Sequence, residues 1–199
     1  AKKLDGEIER ILKKNLVPAT KVFANACKGG KRIRGALIKL GYELAEVGSR
    51  KSEDILEIGA AYEILHSAIL IHDDIIDQSS LRRGRKALYK RIGQAQAITL
   101  ADYGFFLAVK IISESNFIDK RKNEAIKLFS RTMIDTATGQ MLDIQKEDAL
   151  MTAKLKTARY TISGPLKLGA VLAGAKSDLL DKLDEFGENL GIVYQIKDD

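Results

Sequence analysis

The sequence predicts an all-α protein with a single domain, a bundle of helices over residues 1–199. Apolar residues recur at helical spacing along most of the chain. The chain has only two Pro and no convincing strand pattern, and 45% of its residues are hydrophobic. A chain of 199 residues with this composition can bury a sizeable core.

Four helices are expected in the first half of the chain, at residues 4–12, 18–27, 34–47 and 52–78. Pro18 fits the opening turn of the second helix, because the first helical residues have no intrahelical partner for an amide hydrogen. Gly29-Gly30 is expected to form a turn, and Ser52 is a candidate N-cap for the fourth helix. Residues 79–88 are expected to form a charged loop.

Four more helices are expected at residues 93–113, 120–144, 154–174 and 178–197. The first of these is rich in small apolar residues, which indicates a buried central helix. Gly164-Pro165 predicts a kink inside the third. The side chains expected to point inward from the second and fourth are Leu128, Met133, Met141, Leu179, Leu183, Phe186, Leu190 and Val193.

Composition restricts the functions that the chain can have. The formal net charge of +6 suits an anionic partner. The cations accompany aspartates instead of forming a clean basic face, so no nucleic acid is expected. No apolar run approaches the roughly 18 residues of a membrane span. Cys27 is the only cysteine, which excludes an internal disulfide and favours a reducing compartment, the cytoplasm.

An acidic cluster, Asp73, Asp74 and Asp77, follows the apolar run of the fourth helix. At about 100° per residue the three carboxylates share one helix face, where their repulsion costs stability unless cations lie between them. Oxygen-only ligands favour Mg²⁺ over zinc. A solvated acidic helix end is the alternative, but charges after a buried stripe are more typical of a cavity wall. Asp198-Asp199 is a second acidic pair, so two acidic helix ends are expected to face each other across a central cavity.

Cationic residues lie close to the first acidic cluster in the sequence. Arg82 and Arg83 are typical phosphate ligands, because a guanidinium group can bind phosphate through two hydrogen bonds. The Gly29-Gly30 turn is followed by three further cations between Lys31 and Arg34. That segment predicts either an anion site or a solvated basic loop.

Together these residues resemble the trans-isoprenyl diphosphate synthases, the polyprenyl synthetase family, from about residue 29 to residue 199. The segments that carry the resemblance are Gly30-Lys31-Arg32-Ile33-Arg34, Glu63-Ile64-Leu65-His66, Ile71 to Asp77, Leu81-Arg82-Arg83-Gly84, Gly139-Gln140-Met141-Leu142-Asp143, Lys156-Thr157-Ala158 and Tyr194 to Asp199. The resemblance implies an isoprenoid synthase type of fold, a helical bundle with a central cavity.

The resemblance also implies a reaction and the residues that perform it. An allylic diphosphate would condense with isopentenyl diphosphate to a longer trans-polyprenyl diphosphate, with two or three Mg²⁺ ions. The implied Mg²⁺ ligands are Asp73, Asp74, Asp77, Asp198 and Asp199. The residues implied to hold isopentenyl diphosphate are Lys31, Arg34, His66 and Arg83. Those implied to hold the allylic diphosphate are Arg82, Lys156 and Thr157, with Gln140, Asp143 and Gln195 lining the same cavity. The catalytic set is Asp73, Asp74, Asp77, Arg82 and Lys156.

Features of the whole protein follow from the same resemblance. The third aspartate of the family's second acidic motif would fall beyond Asp199, so the chain is expected to lack its C-terminal part. A homodimer is expected, with residues 93–113 as the candidate interface. The fourth and fifth residues before the first aspartate, Ile69 and Ala68, carry no aromatic ring, which in this family favours geranylgeranyl diphosphate or a longer product. The candidate chain-length residues are Leu65, Ala68, Ile69, Phe105 and Phe106.

Two alternative functions fit parts of the pattern. A class I terpene cyclase also needs acidic Mg²⁺ motifs, but it has only one diphosphate site. Lys31, Arg34 and Arg83 favour two sites and therefore argue against a cyclase. A noncatalytic subunit of a heteromeric synthase would tend to lose the acidic motif, so the intact set from Asp73 to Asp77 argues against that role.

Overall fold

The computed structural model describes the backbone of residues 1–45 and 54–198 and the side chains of residues 1–45 and 54–191. The prediction of an all-α fold is confirmed. The α-helices are α1 (Lys2–Asn15), α2 (Phe23–Ala26), α3 (Ile33–Ala45), α4 (Asp54–Ile76), α5 (Leu88–Ile92), α6 (Gln94–Glu114), α7 (Asp119–Gln145), α8 (Ala149–Thr152), α9 (Gly164–Ala173) and α10 (Ser177–Asp198). A 3₁₀ turn (Pro18–Thr20), a π-helix (Ala153–Ser163) and two short strands, β1 (Leu81–Arg82) and β2 (Arg85–Lys86), complete the described part.

The chain forms two compact units. Unit 1 comprises residues 1–32 and 56–114, and unit 2 comprises residues 33–55 and 115–199. The expectation of one domain over the whole chain stays a prediction.

The core of unit 1 is built around α4, whose side chains Ile58, Ala61 and Leu65 are fully buried. Gly104 of α6 allows close packing onto this helix. A Cβ atom on Gly104 would lie 2.6 Å from the Phe23 ring and 2.8 Å from the Cβ of Ala68. The small residue therefore lets α6 approach α4 more closely than any other side chain would allow.

A hairpin replaces the loop predicted at residues 79–88. Strands β1 and β2 pair antiparallel, with Leu81 opposite Lys86 and Arg82 opposite Arg85. The two turn residues, Arg83 and Gly84, have φ of 51° and 71°, which is the combination that a two-residue type I′ turn requires. The hairpin fixes the directions of the arginines that follow the acidic cluster.

The core of unit 2 depends on glycines where its helices cross. A Cβ atom on Gly41 of α3 would lie 1.9 Å from the carbonyl oxygen of Leu166, and one on Gly169 of α9 would lie 1.9 Å from that of Ile38. Gly191 brings α10 equally close to the π-helix, where a Cβ atom would lie 2.2 Å from the Cα of Ala158. At each of the three glycines the nearest atom of the neighbouring helix is a backbone atom, so a side chain there would collide with the backbone.

Several predictions about helices of unit 2 were wrong. Met141, Phe186 and Leu190 were expected to point inward, but their side chains are 53%, 55% and 42% exposed. Up to Gly191, the buried residues of α10 are Leu183 and two glycines, and glycines do not stand out in a pattern of large apolar residues. Residues 154–174 do not form one kinked α-helix, because a π-helix ends at Ser163 and α9 begins at Gly164.

Other predicted boundaries hold only in part. The helix expected at residues 18–27 is divided into the 3₁₀ turn and α2. The candidate N-cap Ser52 and the predicted end of the third helix at residue 47 lie outside the described residues.

Two helices of the described part are long and apolar enough to cross a membrane by length and composition alone. The first is α4, with a mean hydropathy of 1.3 over its most apolar stretch, of which 67% is buried. The second is α6, with a mean hydropathy of 1.4 over a stretch that is 44% buried. Both helices contain charged residues, so neither contains an uninterrupted apolar run of about 18 residues. Core helices of soluble proteins pass the same criterion, so the finding is weak support for a membrane role.

Candidate functional site

The carboxylates at the end of α4 do not share one environment. Asp74 is 3% exposed, and its Oδ1 accepts hydrogen bonds from Nε and Nη2 of Arg82, the first at 2.8 Å. Because Asp74 lies about 100° around the helix from Asp73, it points towards the hairpin. Its carboxylate therefore fixes the guanidinium group of Arg82.

Asp73 and Asp77 form a more accessible pair. Asp77 directly follows α4, and its amide donates to the carbonyl oxygen of Asp73 at 2.8 Å, so the two residues lie one helical turn apart. Asp73 is half-buried and Asp77 is exposed. Within residues 1–45 and 54–191, no three His, Cys, Asp or Glu side chains come together closely enough to hold a metal ion. Two carboxylates still fit Mg²⁺, which takes one or two from a protein and completes its shell with water and substrate phosphate.

Arg83 is held over the turn at residues 28–30. Its Nη1 donates hydrogen bonds of 2.7 and 2.8 Å to the carbonyl oxygens of Lys28 and Gly29. Gly30 has φ of 110°, and a Cβ atom there would lie 2.8 Å from Nη2 of Arg83, so only glycine fits this position. Burial and the neighbouring charge of Arg32 lower the pKa of Arg83 below the usual arginine value.

Arg32 has a structural role that the sequence analysis missed. Its side chain is buried, its Nε donates to Asp5 at 2.8 Å, and its Nη2 donates to the carbonyl oxygen of Cys27 at 2.7 Å. Its Nη1 lies 3.8 Å from the buried carboxylate of Glu63. Of the three cations after the glycine turn, Arg32 therefore anchors the turn, while Lys31 is exposed.

In unit 2, Arg34 has an incompletely satisfied guanidinium group. Its Nη2 donates to Oγ1 of Thr161 at 2.7 Å, and the group lies 4.5 Å from the centroid of the Tyr160 ring. Its Nε is buried and has no hydrogen-bond partner. A buried donor without a partner is costly, so Nε is suited to donate to a bound anion.

The structure brings together two predicted site residues of unit 2. Nζ of Lys156 in the π-helix lies 2.5 Å from Oδ2 of Asp143 on α7. The two elements approach closely at Gly139, which has no side chain. A Cβ atom there would lie 2.7 Å from the amide nitrogen of Lys156. π-Helical turns often occur at functional sites. Thr157 and Gln140 are half-buried on the same two elements.

A charge network beside Lys156 also escaped the sequence analysis. Arg159 donates to Asp135 of α7 at 2.8 Å and to Glu188 of α10 at 3.0 Å, and Lys154 pairs with Glu188 at 2.9 Å. The network connects the π-helix to both neighbouring helices. No sequence signal could have revealed it, because its members come from three separate elements.

The candidate chain-length residues occupy different environments. Leu65 and Ala68 are fully buried, and Ala68 faces Gly104 of α6. Ile69 is half-buried on the same face as Asp73, one turn earlier. Phe105 packs against the ring of His72, 5.4 Å away, whereas Phe106 is 74% exposed on unit 1.

The remaining predicted residues are only partly described. His66 is half-buried on α4. Gln195 and Asp198 belong to α10, but their side chains lie outside the described residues, and so does the whole of Asp199. The expected approach of the two acidic helix ends stays a prediction.

Comparison with known proteins agrees with the resemblance seen in the sequence. A polyprenyl synthetase family model matches residues 18–199. The geranylgeranyl diphosphate synthase of Methanosarcina mazei is 31% identical over 98% of this chain and 62% of its own length. The chloroplastic solanesyl diphosphate synthase 2 of Arabidopsis thaliana is 31% identical over 86% of this chain and 42% of its own length.

Solved structures show the same relationship. The geranylgeranyl pyrophosphate synthetase of the archaeon Geoglobus acetivorans has a TM-score of 0.89 at 27% identity, over 100% of this chain and 67% of that one. The geranylgeranyl pyrophosphate synthase of Corynebacterium glutamicum, solved with isoprenyl diphosphate and magnesium, has a TM-score of 0.87 at 25% identity, over 98% and 66%. This chain thus spans about six tenths of the length of the first curated relative.

Proposed function

We propose that this chain, which belongs to the polyprenyl synthetase family, forms part of a Mg²⁺-dependent trans-prenyltransferase. The reaction joins an allylic diphosphate to isopentenyl diphosphate and yields a longer trans-polyprenyl diphosphate. The observation that carries the proposal is the end of α4. There Asp73 and Asp77 lie one turn apart, beside an Arg82 that Asp74 holds in place.

We assign the metal to Asp73 and Asp77 and give Asp74 a different role. The buried carboxylate of Asp74 is already paired with Arg82, so it orients a cation. Bound Mg²⁺ would stabilise the negative charge that develops as diphosphate leaves the allylic carbon. Arg82 would add a fixed positive charge to the same leaving group.

The other cations would bind the two diphosphates. Arg83, Arg34 and Lys31 are assigned to isopentenyl diphosphate, and the unpartnered Nε of Arg34 is one donor available to it. Lys156 and Thr157 are assigned to the allylic diphosphate. Lys156 would exchange its contact with Asp143 for the substrate, since both side chains are partly exposed.

An apolar wall must shelter the allylic cation from water and hold the growing chain. Ile69 fits this requirement, because it precedes Asp73 by one turn on the same face and is half-buried. Neither Ile69 nor Ala68 carries an aromatic ring, which supports geranylgeranyl diphosphate or a longer product.

The test is incubation with isopentenyl diphosphate, Mg²⁺ and one allylic diphosphate at a time, followed by sizing of the products. Linear prenyl diphosphates are expected. A cyclic hydrocarbon formed from the allylic diphosphate alone would indicate a terpene cyclase, and no product without a second type of subunit would indicate a noncatalytic role.

Variants of the acidic cluster separate the two roles assigned to it. Asp73→Asn should lower turnover by several orders of magnitude and raise the Mg²⁺ concentration needed for half-maximal activity. Asp74→Asn should lower turnover without changing that concentration, because it releases Arg82 and leaves the metal ligands intact. Asp119→Asn, an exposed carboxylate at the start of α7, is the control. An equal shift in Mg²⁺ dependence for both variants would show that Asp74 is a ligand.

A further inference from the structure

Unit 1 contains a cavity of about 210 Å³ that is rich in positive charge. A single water needs only about 15 Å³, so the space suits a larger ligand. It is bordered by the turn after α2, one side of α4, the hairpin and α5. Six cationic side chains line it: Lys28, Arg82, Arg83, Arg85, Lys86 and Arg91.

Only two of these cations are held by partners in the described part of the fold. Asp74, the one carboxylate in the described lining, pairs with Arg82, and Arg83 donates to backbone carbonyl oxygens. The other four, Lys28, Arg85, Lys86 and Arg91, have no ion pair with any described residue. The cavity therefore has an excess of positive charge.

The hairpin register adds an energetic cost. Arg82 and Arg85 lie directly opposite each other in the antiparallel pair, and like charges in this position are destabilising. Asp74 offsets the charge of Arg82 alone. An anion bound beside Arg85 would remove the remaining repulsion and would hold the hairpin that carries Arg82 and Arg83.

We infer that Lys28, Arg85, Lys86 and Arg91 form an anion site, additional to the two substrate diphosphate sites, which binds a phosphate or diphosphate group. None of these four residues is assigned to either substrate, so the inference goes beyond the proposed function. The group could belong to free inorganic diphosphate or to the head group of an anionic lipid. In both cases the recognition is the same, by guanidinium and ammonium donors around a phosphate.

The test measures binding directly and does not require activity. Inorganic diphosphate is titrated into the whole chain by calorimetry without Mg²⁺, and vesicles of phosphatidylglycerol are tested in a separate cosedimentation experiment. The variant is Arg85→Gln/Arg91→Gln. The control, Lys13→Gln/Lys14→Gln, removes the same charge from exposed positions of α1 in the same unit. Both altered pairs are exposed, and matching thermal unfolding midpoints confirm that the variants are folded.

We expect the Arg85→Gln/Arg91→Gln variant to lose at least tenfold in affinity for diphosphate or for the vesicles, and the control to change less than twofold. A loss for free diphosphate identifies a small anion, and a loss for vesicles alone identifies a lipid head group. Equal affinities of variant and control in both experiments would overturn the inference. So would a parallel tenfold rise in KM for isopentenyl diphosphate, because the cations would then belong to a substrate site. If the chain proves inactive, the binding result still stands.

Discussion

Cys27 shows how strongly a single buried side chain in unit 1 is constrained. Its thiol is 2% exposed, and burial raises its pKa to about 12, although a hydrogen bond with Ser67 and the charge of Arg32 oppose the shift. A thiol with so high a pKa stays protonated at neutral pH and is a poor nucleophile. Cys27 is therefore a packing residue.

This pKa has a consequence for stability at high pH. The native thiol retains its proton while the unfolded thiol loses it near pH 9. The stabilisation by Cys27 is thus fully present below pH 9 and is lost as the pH rises towards 12. The free energy of unfolding of the wild type should fall relative to Cys27→Ala between pH 9 and 11, as measured by urea denaturation.

The burial of Cys27 can also be tested by chemical labelling. At pH 8, a thiol reagent should label the unfolded chain only. Rapid labelling of the folded chain would contradict the burial.

The sequence predicted which residues form the acidic and basic clusters, but not how each side chain is directed. Asp73, Asp74 and Asp77 look equivalent in the sequence, and a helical projection places them on one face. Asp74 is distinguished only by Arg82, whose direction depends on a hairpin turn with two positive φ values. The orientation of a side chain depends on tertiary partners that no local pattern contains.

At the level of elements, glycine determines how closely the helices of unit 2 pack. Gly41→Ala should cost about 3 kcal/mol or more, because the new Cβ atom would overlap the carbonyl oxygen of Leu166 and the backbone would have to move. Gly6→Ala is the matched control, since Gly6 is an exposed residue within α1 and has nothing within 4 Å of the new atom. That change should stabilise the protein by about 0.5–1 kcal/mol. Chemical denaturation measures both, and a neutral Gly41→Ala would show that α3 and α9 pack less closely.

Ala68 and Ile69 are neighbours in the sequence and both are candidate chain-length residues, but the packing of α4 against α6 gives them different environments. Ala68→Phe should destabilise unit 1, because Ala68 faces Gly104 and a ring there cannot be accommodated without moving α6. If the proposed function holds, Ile69→Phe should instead leave the thermal unfolding midpoint nearly unchanged and shift the products to shorter chains. Ile118→Phe, at an exposed position before α7, is the control. Unchanged products for Ile69→Phe would mean that the chain does not pass this residue.

Helix periodicity predicted the existence of most helices but less reliably their buried faces. Large apolar residues define the buried face that periodicity predicts, whereas α10 packs through Gly187 and Gly191 against Ser163 and Ala158. The π-helix could not be predicted either, because its residues have no distinctive periodicity and the partners of its Arg159, Asp135 and Glu188, lie on α7 and α10.

For the whole molecule, the exposed side of α6 is where the homodimer expected from the family resemblance can be tested. Phe106 is 74% exposed, and burying a Phe side chain is worth about 1.5–3 kcal/mol. Ile98, two turns earlier on the same helix, is also exposed. The homodimer and its interface at residues 93–113 stay predictions, and Phe106 is the residue that tests them.

The dimer prediction can be tested by one substitution. Phe106→Glu should convert the protein to a monomer at micromolar concentration, because a charge in the centre of an apolar interface is left without a partner. Val17→Glu introduces the same charge at another exposed apolar position of unit 1 and should leave the dimer intact. Sedimentation equilibrium measures the mass of each variant, and circular dichroism checks that both remain helical. If Phe106→Glu sediments as a dimer, α6 does not form the interface. If the wild type is itself monomeric at this concentration, the exposed face of α6 must have another explanation, and the homodimer expected from the family resemblance is wrong for this chain.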